Sequence, residues 1–128
     1  MYTPETATEE LKKISPLLLK LKQKHNRYTK LVQSLAQNKS DNVSNEELEI
    51  LEYEIVEIMK SLEEKRIYIR QINPLIVDFL AIRMGQPVYL CWKENEPKVS
   101  HYHGTAEGFS GRRIVTPFDE WQVFLVKN

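Results

Sequence analysis

His101 and His103 sit two apart in Val99-Ser100-His101-Tyr102-His103, a run with strand character. Residues i and i+2 of a strand share a face, so two imidazoles can chelate a metal there. Asp78, Cys91 or Glu107 would complete the shell, and the set this spacing points to is His101, His103 and Glu107. The competing reading is a pair of polar residues on a wet strand face. Neither HExxH nor a paired CxxC supports the metal further.

Three of the four glycines, Gly104, Gly108 and Gly111, fall within eight positions, followed by Arg112-Arg113. Glycine lets backbone N–H groups approach an anion closely, and arginine grips a carboxylate or phosphate bidentately. The loop is not a Walker loop, because Lys-Ser/Thr and a following helix are missing. The alternative is a tight structural turn, with Arg112 paired internally to Asp78 or Glu107. Asp78 interrupts the apolar run Leu75 to Ile82, so its carboxylate must find a cation or hydrogen bonds. An internal pair with Arg112 or His103 satisfies that need. A general acid or base beside His103 and Glu107 is the functional alternative. Cys91, within Val88-Tyr89-Leu90-Cys91-Trp92, reads as a buried, inert thiol.

The elements that must position these groups follow from periodicity. Thr3-Pro4-Glu5 is a helix start, and Pro16 predicts a break or kink soon after. Leu17, Leu21, Tyr28, Leu31, Val32 and Leu35 then make an apolar stripe. Residues 37–42 read as a loop. Ser44 and Glu47 have capping-box spacing for a second helix reaching Ile72. Leu48, Ile55, Leu62 and Ile69 fall every seventh residue, with Leu51, Ile58 and Ile72 interleaved, which is a heptad seam of coiled-coil type. Lys12, Lys13, Lys20, Lys22, Lys24, Arg27 and Lys30 mark the first helix, and glutamates dominate the second, so an antiparallel hairpin is expected.

After Asn73-Pro74 the period becomes that of strands. Leu75 to Ile82, Val88 to Trp92 and Val99 to His103 are strands, with turns at Gly85-Gln86-Pro87 and Glu94 to Pro97. The tail from Thr116 leans to a short helix, with an alternating edge strand over Trp121 to Val126 as the alternative. The expected fold is α+β in a single domain, 1–128. A long antiparallel helical hairpin (1–72), with a short or kinked N-terminal helix, packs against a small antiparallel sheet in a β-rich unit (73–128).

Eighteen basic residues balance eighteen acidic ones, so no net cationic field argues for a nucleic acid or membrane partner. No apolar run approaches the roughly 20 residues that span a bilayer. One cysteine allows no disulfide within the chain, and no signal-peptide pattern opens it; the expected location is the cytoplasm.

Val77-Asp78-Phe79, Tyr89-Leu90-Cys91-Trp92, Glu96-Pro97, Tyr102-His103, Glu107-Gly108-Phe109 and Gly111-Arg112 together resemble an uncharacterised prokaryotic family, domain of unknown function 2203. Its pattern runs V-D-F, V-x-L-C-W, G-E-P, W-H and [DE]-G-F-x-G-R, and the resemblance covers about residues 72–113. Asn95 stands where the family has glycine, Tyr102 where it has tryptophan, and Gly104 where it has an acidic residue. The family has no assigned reaction, so the resemblance implies where a site lies and not what it does.

The function expected is small-molecule or anion binding, of phosphate or carboxylate, on the β-rich unit, through Asp78, Glu96, His103, Glu107 and Arg112. Whether the protein is an enzyme is open, and catalytic residues are unassigned. The alternative is an interaction module assembling through the heptad face. A third reading is a His-based, metal-binding, hydrolase-like enzyme, with a divalent metal as the candidate cofactor. The expected partners are a second copy, as a homodimer, and a small-molecule ligand.

Overall fold

The computed structural model describes residues 1–37 and 42–123, and its fold is α+β. Among the described residues, two helices, α1 (Pro4–Ala36) and α2 (Asn42–Glu63), precede six strands. These are β1 (Ile67–Ile72), β2 (Leu75–Arg83), β3 (Gln86–Lys93), β4 (His101–Gly104), β5 (Arg113–Ile114) and β6 (Trp121–Gln122). The chain forms two compact units, Ile14–Lys65, and Met1–Lys13 with Arg66–Asn128.

In the helical unit, Lys24 bonds Glu54, Arg27 bonds Glu47 through two hydrogen bonds, and the Tyr28 hydroxyl donates to Glu52. Later positions on α1 meet earlier positions on α2, which is antiparallel pairing. Leu18, Leu21, Leu31, Leu51 and Leu62 are buried. Val32, placed in the apolar stripe by its spacing, is exposed. The break expected at Pro16 is absent, and α1 runs through it. Pro16 and Lys12 both lie on the exposed side, where solvent is available to the carbonyl that proline leaves without a donor. The side chain of Ser44, and with it the expected capping box, lies outside the described residues.

The helix expected to reach Ile72 ends at Glu63 instead, and residues 67–72 are β1. Arg66 adopts a positive φ of 62° at the junction, which no helix accommodates. The heptad match at Ile69 and Ile72 is therefore not helical. Ile67 and Ile69 alternate with Tyr68 and Arg70 across the two faces of a strand.

All strand pairs are antiparallel, in the order β1-β2-β3-β4-β5, with β6 also pairing β2. The β2–β3 turn is Met84-Gly85, one position earlier than expected, with φ of 49° and 81°. Two positive φ values twist the hairpin the way its strands twist. Gln86 and Pro87 consequently belong to β3. Pro87 lies beyond Gly104, the last β4 residue paired to β3, where no donor to β4 is required. Of the two readings of the tail, the helix is replaced by the edge strand: Trp121 and Gln122 form β6 and pair Arg83 and Ile82. Residues 124–128 lie outside those described.

The outer edge of β2 is covered along its length. β1 pairs Leu75 to Phe79, Arg66 and Tyr2 satisfy the Leu80 backbone, and β6 pairs Ile82 and Arg83. Thr3 and Thr6 cap α1 reciprocally, each hydroxyl accepting the other's backbone N–H. That start is fixed to the sheet. Tyr2 meets Phe79 edge-on at 5.3 Å, and the Thr8 hydroxyl accepts the Val99 N–H. Val77, Phe79, Ala81, Leu90 and Tyr102 make this face of the sheet apolar and buried.

Candidate functional site

The other face carries the chemistry. Strand alternation puts Asp78 on the opposite side from Val77 and Phe79, and the register sets it directly across from Cys91, which faces His101. His103 stands two pairs along, on the same face, opposite Tyr89. Tyr68 lies on the other flank of Asp78. The register slips between Ile69 and Gln71, so Arg70 is the extra residue of a bulge. A bulge re-aims a side chain, and Arg70 turns onto this face. Its guanidinium carbon lies 5.1 Å from the Tyr68 ring and 4.8 Å from the Tyr89 ring.

Asp78 is 1% exposed. One of its oxygens, Oδ2, accepts from Arg70 Nε at 2.9 Å and lies 2.9 Å from His103 Nε2. Its other oxygen, Oδ1, is buried with no hydrogen-bond partner among the described residues. His103 Nδ1 lies 2.9 Å from the Gly104 carbonyl, which only accepts, so Nδ1 carries a hydrogen. Nε2 therefore faces a carboxylate oxygen at a distance that requires a proton, or another cation, between them.

Cys91 is fully buried beside Asp78. Burial, then the Asp78 charge, pushes its thiol up to about 12, against the pull of Arg112, whose Nη1 lies 4.0 Å from the sulfur. Asp78, Cys91 and His103 each offer one ligand atom within 4.8 Å of the others.

Arg112, the arginine of the family-like motif, and its neighbour Arg113 are already engaged. Arg112 grips Glu96 bidentately at 2.9 and 2.7 Å, and Arg113 does the same to Glu107 at 3.0 and 3.2 Å. Arg112, together with the Lys93 N–H, holds the Glu96 carboxyl below its usual range. The Gly104 N–H, then Arg113, does so for Glu107. Burial works against the charge on Arg70, but its bond to Asp78 raises its pKa overall.

The glycine cluster has a specific use. A Cβ at Gly104 would stand 2.9 Å from a Glu107 carboxylate oxygen, and one at Gly111 would stand 2.8 Å from the other. The loop is a cradle for an anion, and the anion is the chain's own Glu107 carboxylate. Asn95, where the family-like pattern has glycine, has a φ of 80°, a conformation open to both residue types.

A cavity of about 400 Å³ opens on this face, lined by Arg70, Asp78, Tyr89, His103, Glu107 and Phe109 among others. Of the residues singled out by sequence, Asp78, His103 and Glu107 meet there. Glu96 and Arg112 pair beside Cys91, and His101 turns toward Glu96, with Nδ1 3.7 Å from its carboxylate. Sequence reasoning missed Arg70 and Tyr89. The signal for Arg70 was the alternation Ile67-Tyr68-Ile69-Arg70, hidden by the heptad series that it continues.

The family described as "Uncharacterized conserved protein (DUF2203)" matches over residues 1–115. The match extends the resemblance from the sheet motif through both helices, and the chain belongs to this family. No curated protein and no solved structure shows a significant match.

Proposed function

We propose that this family member binds a small polar molecule bearing a carboxylate or phosphate in the cavity on the polar face of the sheet. Arg70 is its anchor, with His103, Asp78 and Glu107 reading the rest of the ligand. The observation that carries the reading is the state of Arg70. Its side chain is 44% exposed at the cavity, yet it is held in place by Asp78 and by two aromatic rings. Asp78 and Tyr89 take only part of its five donors. A pre-positioned guanidinium binds an anion at little entropic cost. Arg112 and Arg113, by contrast, are each closed on a carboxylate.

A thermal-shift scan with inorganic phosphate, citrate and malonate tests this. Ligand at about ten times its Kd stabilises by roughly 1.4 kcal/mol, a shift of a few degrees. The shift should survive in Arg113→Ala and vanish in Arg70→Gln. No stabilisation by any probe, or equal stabilisation of Arg70→Gln, would overturn the reading.

A second reading rests on the helical unit. Leu19, Ile50, Tyr53 and Val56 are 45–67% exposed, and the last three recur every third residue of α2. Apolar side chains clustered in this way mark an association surface, and we assign it to a second copy of the chain. Light scattering that returns only the 15.1 kDa monomer at high concentration would defeat it. No helix among the described residues is long and apolar enough to cross a membrane. A lone, buried, reduced thiol suits the cytoplasm as the working location.

A further inference from the structure

We infer that Asp78, Cys91 and His103 form a site for a divalent transition ion, zinc foremost, at the floor of this cavity. The inference rests on the cavity reading above only for what occupies the ion's open position.

Three adjacent strands supply the donors. Asp78 on β2 and Cys91 on β3 are direct cross-strand partners, and His103 on β4 lies diagonally beyond. Their donor atoms already lie within 4.8 Å of one another. A tetrahedral ion with bonds of about 2.0–2.3 Å spaces its donors roughly 3.3–3.7 Å apart. Side-chain adjustments on the order of 1 Å close the set, and the strands beneath need not move.

Two details of the geometry are those of ligands and not of core residues. His103 spends its Nδ1–H on the Gly104 carbonyl, the arrangement that fixes the tautomer and leaves Nε2 as the metal-binding atom. Asp78 Oδ1 is buried without a hydrogen-bond partner among the described residues, a costly condition that a cation relieves. The gap between Nε2 and Asp78 Oδ2 also demands a positive charge, which an ion can supply in place of the proton. On binding, that proton and the Cys91 thiol proton leave to solvent as the nitrogen–metal and sulfur–metal bonds form.

The donor set selects the ion. Imidazole with thiolate disfavours magnesium and calcium, which take oxygen, and favours zinc and its neighbours. Three protein ligands leave a fourth position. Asp78 and His103 line the cavity while Cys91 lies behind them, so that position faces the cavity. An open position is the mark of a catalytic rather than a structural zinc site.

The test is cobalt(II) added to the metal-stripped full chain at neutral pH. Cys91 is the chain's single cysteine, so a sulfur-to-cobalt charge-transfer band assigns it without any mutation. We expect the band to saturate at one equivalent and to be bleached by zinc. Folded His103→Gln should bind at least tenfold more weakly, and folded Cys91→Ser should lack the band. Absence of a saturable band in wild type, or a band unchanged in folded His103→Gln, would overturn the site. Loss of the phosphate and carboxylate shifts with the cobalt band intact would count against the cavity ligand alone. The reverse pattern would count against the ion alone.

Discussion

The helical unit and the sheet unit use charge in opposite ways. On the helices, Arg27 meets Glu47 in open solvent, with their side chains 54% and 36% exposed. Such a pair helps choose which helix lies beside which, and does little to hold them. On the sheet, Asp78 is all but sealed, and Glu96 and Arg112 are mostly covered. A charge sealed from water depends on its partner, because the partner's removal leaves an uncompensated ion. Asp78 therefore sits where a charge costs most, and it lines the cavity, whereas the nearby Arg113 and Glu107 side chains are 56% and 38% exposed. Cost without structural return is a reason to look for chemistry.

The largest effect should come from breaking the sheet's bidentate pair. Arg112→Ala removes both bonds to Glu96 and the stacking of the guanidinium over Phe109 at 4.4 Å. We expect a loss of about 2–4 kcal/mol, discounted from a fully buried pair because Glu96 retains some exposure. Denaturant unfolding measures it. A loss comparable to that of any surface arginine would erase the contrast between the two units.

The same pair should set part of the acid sensitivity. Glu96 has a folded-state pKa below its ordinary value, with Arg112 as the main cause. Its contribution is therefore complete above the unfolded carboxylate pKa of about 4.3 and is lost as pH falls through the depressed folded value. The stability gap between wild type and Arg112→Ala should narrow as pH is lowered from neutrality to about 3. A gap that stays constant would show that Arg112 acts through packing alone.

How much of this was legible in sequence depended on whether a signal was local. The helices, the strands of the β2–β3 hairpin and the α+β class follow from periodicity. Asp78 announced itself as a charge in an apolar strand. What failed was the junction. Ile69 and Ile72 satisfy a seven-residue repeat and an alternating strand equally well, and nothing in the residue type of Arg66 signals a left-handed backbone. That one misreading hid β1, and with it the bulge that aims Arg70. The hairpin turn was misplaced by one residue, and register decides which side chains meet: counted outward from Met84-Gly85, Asp78 falls opposite Cys91. The partner of Arg112 was a matter of distance across strands. Glu96 and Arg112 could be named from the family-like motif, but their pairing could not.

A smaller effect probes the glycine cradle. Gly104→Ala would drive a methyl group into the Glu107 carboxylate, and Gly111→Ala would do the same from the other side. Gly111→Ala should lower Tm more than Gly104→Ala, whose methyl meets only the free end of the Glu107 side chain. In a Glu107→Ala background the Gly104→Ala loss should vanish, while part of the Gly111→Ala loss should persist against the Glu107 Cβ at 3.0 Å. Losses that simply add would mean the glycines serve backbone geometry and not the fit of Glu107.

The smallest effect belongs to the helices, and it sharpens the contrast most. Arg27→Ala removes two hydrogen bonds to Glu47, the same number that Arg112→Ala removes from Glu96. If hydrogen-bond number set stability, the two variants would lose similar amounts. If burial sets it, Arg27→Ala should be nearly silent in Tm, and what little it loses should fade as salt is raised across the physiological range. The Arg112 loss should persist at the same salt, since covered pairs are screened far less. Parallel salt titrations of the two variants therefore separate charge that guides assembly from charge that is held in place.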